Sequence, residues 1–263
     1  MRILKDGQSI TSLAQWFDHA PPKGRERQWR DGRSAKECAR AWLDAAHAGV
    51  PDEIAELLSN HRDFGTLSFA LAEPEMRLPF DNFGGETRNA DIVVTAHDQH
   101  GPIALTIEAK ADEAFSETVA ETLAAALERR LKNPNSAGIK RIEQLCDALF
   151  RPARAGEPSL GDLRYQLLTA TAGSLALASR LGSQRAVMVI HEFITDQTTD
   201  AEHVKNSHDL SRFIQRLSAG GATGCPPGVL LGPLTVPGKP LFDAPARFYI
   251  GKAIRNVRSG PTG

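Results

Sequence analysis

Asp91, Glu108 and Lys110 are the residues whose types and spacing could do chemistry. They sit in two short β-prone runs, residues 90–96 (ADIVVTA) and 103–110 (IALTIEAK). The connector His97-Asp98-Gln99-His100-Gly101-Pro102 carries the Gly-Pro punctuation of a turn, which predicts an antiparallel hairpin. Strand side chains alternate faces, so a slip of one residue would turn every side chain to the wrong side. Pairing residues whose numbers sum to 199 sets Ile92 against Ile107, Val94 against Leu105 and Ala96 against Ile103, an entirely apolar face. The same register places Asp91 opposite Glu108 on the other face, with Lys110 two residues further along. Opposed β-carbons lie roughly 4.5–5.5 Å apart, and like charges there repel. A proton could offset that repulsion, and so could a hard divalent cation such as Mg²⁺, which prefers oxygen ligands.

An Asp opening one strand and Glu-x-Lys closing the next resembles the PD-(D/E)XK nuclease superfamily. Here the family's Pro-Asp is Ala90-Asp91, and Glu108-Ala109-Lys110 follows with Glu108 17 positions later. The lead-in Gly84-Gly85-Glu86-Thr87-Arg88-Asn89 is similar to the Gly- and Arg-containing approach of several members. The resemblance implies an α/β fold with a restriction-endonuclease-like core: αβββαβ order, a central mixed sheet flanked by helices, and N-terminal helical decoration. It implies that Asp91, Glu108 and the main-chain carbonyl of Ala109 hold Mg²⁺, with Mn²⁺ as a substitute, and that Lys110 orients the attacking water. A helix before the first core strand often lends a further carboxylate in the superfamily. Glu56 is the candidate for it, with Glu53 beside it on the same helix and Glu75 as a rival. Arg164-Tyr165-Gln166 resembles a helix-borne auxiliary motif of some branches, which makes Gln166 a further catalytic candidate.

The elements that must position these groups follow from pattern. Residues 12–17 read as a short helix ending at Pro21-Pro22. Lys23, Arg25, Arg27, Arg30 and Arg33 crowd around Trp29, either to meet a phosphate backbone or as a solvated loop. Ser34 with Glu37 is a capping-box pattern ahead of Ala39, Trp42, Leu43 and Ala46. A second helix opens near Pro51-Asp52 and turns Ile54, Leu57 and Leu58 inward, and residues 66–71 supply the first strand. Strong helix formers run from Ala114 to Lys132, with Val119, Leu123, Ala126, Leu127 and Leu131 as a stripe. Helices over 137–150 and 160–181 follow, the latter rich in small residues that allow close packing on a sheet. Residues 185–193 form a buried strand ending near His191, which reads as a strand terminus rather than a base. A helix near 208–218 and strands around 229–231 and 247–250 complete one domain over 1–263: an N-terminal helical part (1–62), a core (63–195) and a C-terminal helix and strands (196–263).

Composition sets limits on function. With 41% hydrophobic and 24% charged residues the chain reads as an ordinary globular protein. A formal net charge of −1 gives no global signal for nucleic acid, although phosphate contacts need only local Lys and Arg. Cys38, Cys146 and Cys225 form no Cys-x-x-Cys pair, which argues against a disulfide framework or zinc module and for a cytoplasmic protein. There is no apolar leader and no membrane-length run, so no membrane partner is expected. The leading expectation is Mg²⁺-dependent hydrolysis of nucleic-acid phosphodiesters, DNA foremost, with a homodimer required only for concerted double-strand cutting. A domain of the same fold that binds nucleic acid or protein without cutting is the alternative. In a third reading Glu108 and Lys110 are merely an exposed ion pair worth about 0–1 kcal/mol.

Overall fold

Eight strands hydrogen-bond into one mixed sheet, because apolar residues line both of its faces and need a layer of helices on each side. The computed structural model describes residues 1–47, 49–84, 88–242 and 246–258. The strands are β1 (Arg2–Lys5), β2 (Gln8–Ser9), β3 (Ser68–Arg77), β4 (Asn89–Asp98), β5 (Gly101–Lys110), β6 (Ala186–Ile194), β7 (Leu230–Val236) and β8 (Ala246–Asn256). Their spatial order is β2-β1-β3-β4-β5-β6-β8-β7. β3, β4 and β5 form an antiparallel meander, and β6 lies parallel to β5, with β8 parallel to β6. Strands from residues 1–62, 63–195 and 196–263 all join this sheet.

The predicted hairpin register holds: Ile92 pairs with Ile107, Val94 with Leu105 and Ala96 with Ile103. Those side chains pack with Ile54, Leu57 and Trp42 from α2 (Ser34–Ala45) and α3 (Asp52–Ser59), while α1 (Leu13–His19) adds Trp16. The opposite face, carrying Val93, Ala104 and Met188, packs against α6 (Tyr165–Arg180) and α7 (Asp200–Leu217). The helical hairpin of α4 (Val119–Lys132) and α5 (Gly138–Leu149) extends that layer. Each fully buried aliphatic contributes about 1.5–3 kcal/mol, so the two apolar layers fix which way every strand residue faces. The run of small residues in α6 does bring it close. A β-carbon added at Gly173 would stand 3.1 Å from that of Leu78, and Ser174 Oγ meets Thr106 Oγ1 at 2.5 Å.

Several local expectations change. The N-terminal part is not wholly helical, since β1 pairs parallel with β3 and antiparallel with β2. Ser34 does not cap α2: the N-cap is Arg33, and Glu37 instead accepts from Gly32 N (2.7 Å) and Arg40 Nη1 (2.7 Å). The Ser34 hydroxyl donates to Glu113 across the cleft floor (3.0 Å). The first core strand runs on through Pro74 to Arg77. Helix α4 begins only after Thr118, whose hydroxyl and Glu121 form the real capping box. Leu127 and Leu131, predicted to face inward, are 50% and 81% exposed. Helix α7 starts eight residues before the predicted His208, capped by Thr199.

Candidate functional site

Three strands carry one acidic row. Glu73 pairs with Val93 and Pro74 with Ile92, so Glu75 falls level with Asp91; Ile92 pairs with Ile107, so Asp91 falls level with Glu108. Strand alternation turns Glu108 and Lys110 to the face covered by α6, and Asp91 on the neighbouring strand borders the same opening. There they floor a cleft of about 1010 Å³. Lys23, Arg77, Arg129 and Arg141 line the same cleft, which gives a near-neutral chain a locally basic wall.

Glu108 is 2% exposed and Lys110 6%, so the exposed ion pair is ruled out. Lys110 Nζ lies 3.1 Å from Glu108 Oε1 and 5.2 Å from the centre of the Phe115 ring. Gln166, in the first turn of α6, donates its Nε2 to the same Oε1. Arg88 Nη2 donates to Oε2. Asp91 does not share these donors: its Oδ2 accepts from the Ala109 N–H (2.7 Å), which locks the strand end of the hairpin. Glu113 closes the floor, accepting from Ala111 N (2.9 Å).

Burial governs the protonation of this cluster. It pushes the Glu75 carboxyl up to about 8, with repulsion from Asp91 adding to the shift. The Asp91 carboxyl is also raised by burial, against the pull of Lys110 and Arg88. Burial drives the Lys110 ammonium down to about 8, Asp91 opposing. Glu75 further sits at φ 48, in the left-handed region that non-glycine residues rarely adopt. Strained backbone of that kind costs about 1–3 kcal/mol and collects at functional sites.

The structure brings together Asp91, Glu108, Ala109, Lys110 and Gln166, and it adds Glu75. Glu56 is not brought there: it is an exposed residue of α3, a helix that packs on the opposite face of the sheet. Its neighbour Glu53 is engaged on that face too, by Arg255 (2.7 and 2.9 Å) and His191 Nε2 (2.6 Å). Burial of Glu53 is outweighed by those bonds, and its carboxyl falls to about 2. His191 is therefore a buried partner of Glu53, outside the cleft. Nothing in the sequence singles out Glu113, and Arg88 enters only as part of the Gly- and Arg-containing lead-in. Arg88 stands three residues before Asp91, but nothing local says that its side chain reaches β5. Gly85, Glu86 and Thr87 of the lead-in lie outside the described residues.

Hard oxygen donors suit a divalent cation, and the residues present fit one by type. Among the described residues no three His, Cys, Asp or Glu side chains are already arranged to hold an ion. Both oxygens of Glu108 are already occupied, by Arg88, Lys110 and Gln166.

The sequence model of the DUF6946 family, described as a domain of unknown function, matches residues 9–243, and the chain belongs to that family. No curated protein and no solved structure matches it. No helix among the described residues is long and apolar enough to cross a membrane.

Proposed function

We propose that this protein is a divalent-metal-dependent nuclease of the PD-(D/E)XK type, hydrolysing nucleic-acid phosphodiesters with DNA as the foremost substrate. The observation that carries the reading is the convergence of Asp91, Glu108, Lys110 and Gln166, from β4, β5 and α6, on the floor of one basic-walled cleft. The order α3-β3-β4-β5-α6-β6, with α4 and α5 inserted between β5 and α6, an antiparallel meander and a parallel fourth strand, supports the restriction-endonuclease-like core.

Asp91, Glu108 and the Ala109 carbonyl would hold Mg²⁺ or Mn²⁺, with Glu75 in place of Glu56 as the further carboxylate. A bound ion would supply Lewis-acid activation of water and neutralise charge on the phosphate. Lys110, its ammonium lowered to about 8 by burial and still charged at neutral pH, orients water and stabilises developing negative charge. Gln166 holds Glu108 in place. Purified protein incubated with plasmid and with single-stranded DNA in Mg²⁺ or Mn²⁺ is expected to cut at least one of them, and Asp91→Ala or Lys110→Ala to abolish cutting. Cleavage that survives both substitutions together overturns the assignment.

A second reading is favoured by one observation, the saturation of Glu108 by Arg88, Lys110 and Gln166: a scaffold of this fold that binds nucleic acid or protein without cutting. Calorimetric titration with Mn²⁺ separates the two. Micromolar binding lost in Glu108→Ala supports the enzyme, and no binding supports the scaffold.

A further inference from the structure

Of the three donors on Glu108, two are themselves cations, Lys110 and Arg88. Gln166 and Lys110 share Oε1, whereas Arg88 alone occupies Oε2. Glu108 thus carries both cations, Arg88 and Lys110, before any ion arrives. We propose that Arg88 competes with the divalent cation for Glu108 and is drawn off by a phosphate group entering the cleft, so that polyanion and cation bind cooperatively. The inference rests on the reading of Asp91 and Glu108 as cation ligands.

Three features of Arg88 suit it to this exchange. Its carbonyl accepts from Leu78 N (3.0 Å), so the backbone is fixed and only the side chain needs to move. Among the described residues its buried Nε has no hydrogen-bond partner, so the guanidinium is incompletely satisfied on Glu108. It also lines the cleft, where a phosphate would offer acceptors matched to its fork of donors. A purely structural counter-ion would behave differently, since its loss would leave Glu108 worse served and the site no more receptive.

The test compares wild type, Arg88→Met and Arg88→Lys, each checked for folding by thermal melting. Mn²⁺ calorimetry of the free protein should show Arg88→Met binding about tenfold tighter than wild type, a usual size for site-to-site coupling, and Arg88→Lys in between. Anisotropy of a labelled single-stranded oligodeoxynucleotide, titrated in EDTA and then in Ca²⁺, should show the ion tightening wild-type binding by a similar factor. Arg88→Met should show a clearly smaller factor, since only direct attraction between ion and phosphate is left to couple them. Equal or weaker Mn²⁺ affinity in Arg88→Met, or in Arg88→Lys where the former does not fold, overturns the role of Arg88 alone. No Mn²⁺ binding by wild type and variants alike removes the metal-site reading and this inference with it.

Discussion

Two buried glutamate–lysine pairs lie one strand apart on the same face of the sheet, and only one of them meets an opening. Lys110 of β5 is the register partner of Glu192 of β6, so the two clusters are neighbours. Glu192 accepts from Lys252 Nζ (2.7 Å) and meets His203 Nδ1 (3.1 Å). Lys252 also donates to Ser207 Oγ (2.7 Å), and His203 Nε2 reaches Thr198 Oγ1 (2.8 Å). Helix α7 supplies His203 and Ser207 as a lid, and none of these groups lines the cleft. Glu108 and Lys110 have the same composition and comparable burial, yet they border a large cleft and crowd against Asp91 and Glu75. Burying a charge pair is therefore not what marks a site here. The mark is an excess of carboxylates on a wall that solvent and ligands can reach.

The largest effects should separate the clusters by stability. Lys252→Met leaves Glu192 buried with a single partner, and breaking such a pair costs about 3–5 kcal/mol. Lys110→Met should cost no more than about 1 kcal/mol, because burial already disfavours that ammonium and Arg88 still serves Glu108. Urea unfolding of both variants checks the contrast, and equal losses would erase it. The pH response should separate them next. The Glu75 carboxyl, held near 8 against 4.5 when unfolded, keeps its proton longer in the folded state. Its contribution is full below 4.5 and is lost as pH rises toward 8. Glu75→Gln should flatten that decline and, at pH 8 and above, exceed wild type by on the order of 2 kcal/mol after allowance for partial exposure. A decline in Glu75→Gln as steep as in wild type would assign it to other groups.

The same contrast explains what could be read from the sequence. Parity of apolar residues about a short turn fixed Ile92 opposite Ile107, and the convergence of Asp91, Glu108 and Lys110 follows from it. Short-range pattern does not say which face of the sheet α3 covers, so it gives Glu56 precedence over its rival Glu75, and the fold reverses that order. The alternating pattern ends at residue 71 and proline is disfavoured inside a strand, yet Pro74 and Glu75 lie within β3. The strand β1 depends on pairing with β3 some seventy residues away, and its four residues have no pattern of their own. The polar opening of α7, residues 200–207, hides buried His203 and Asn206, whose burial depends on Glu192 and on the Glu113 carbonyl. Each miss has the same cause: a residue whose environment is set by a partner distant in sequence.

Gln166 should give the smallest effect and sharpen the comparison most. It is a neutral donor in the first turn of α6, partly exposed, on a carboxylate that also holds Arg88 and Lys110. Gln166→Leu removes one hydrogen bond to a charged group, an interaction worth about 1.5–3 kcal/mol when water cannot replace it. Here the cleft admits water to the vacated position, so the loss should stay near 1 kcal/mol. His203→Leu removes the corresponding neighbour of Glu192 under the lid of α7, where no cleft admits a replacement, and should cost about 2–3 kcal/mol. Urea midpoints of the two variants measure the difference directly. A Gln166→Leu loss as large as that of His203→Leu would mean that water does not reach Glu108, and the cleft floor would then be as closed as its neighbour.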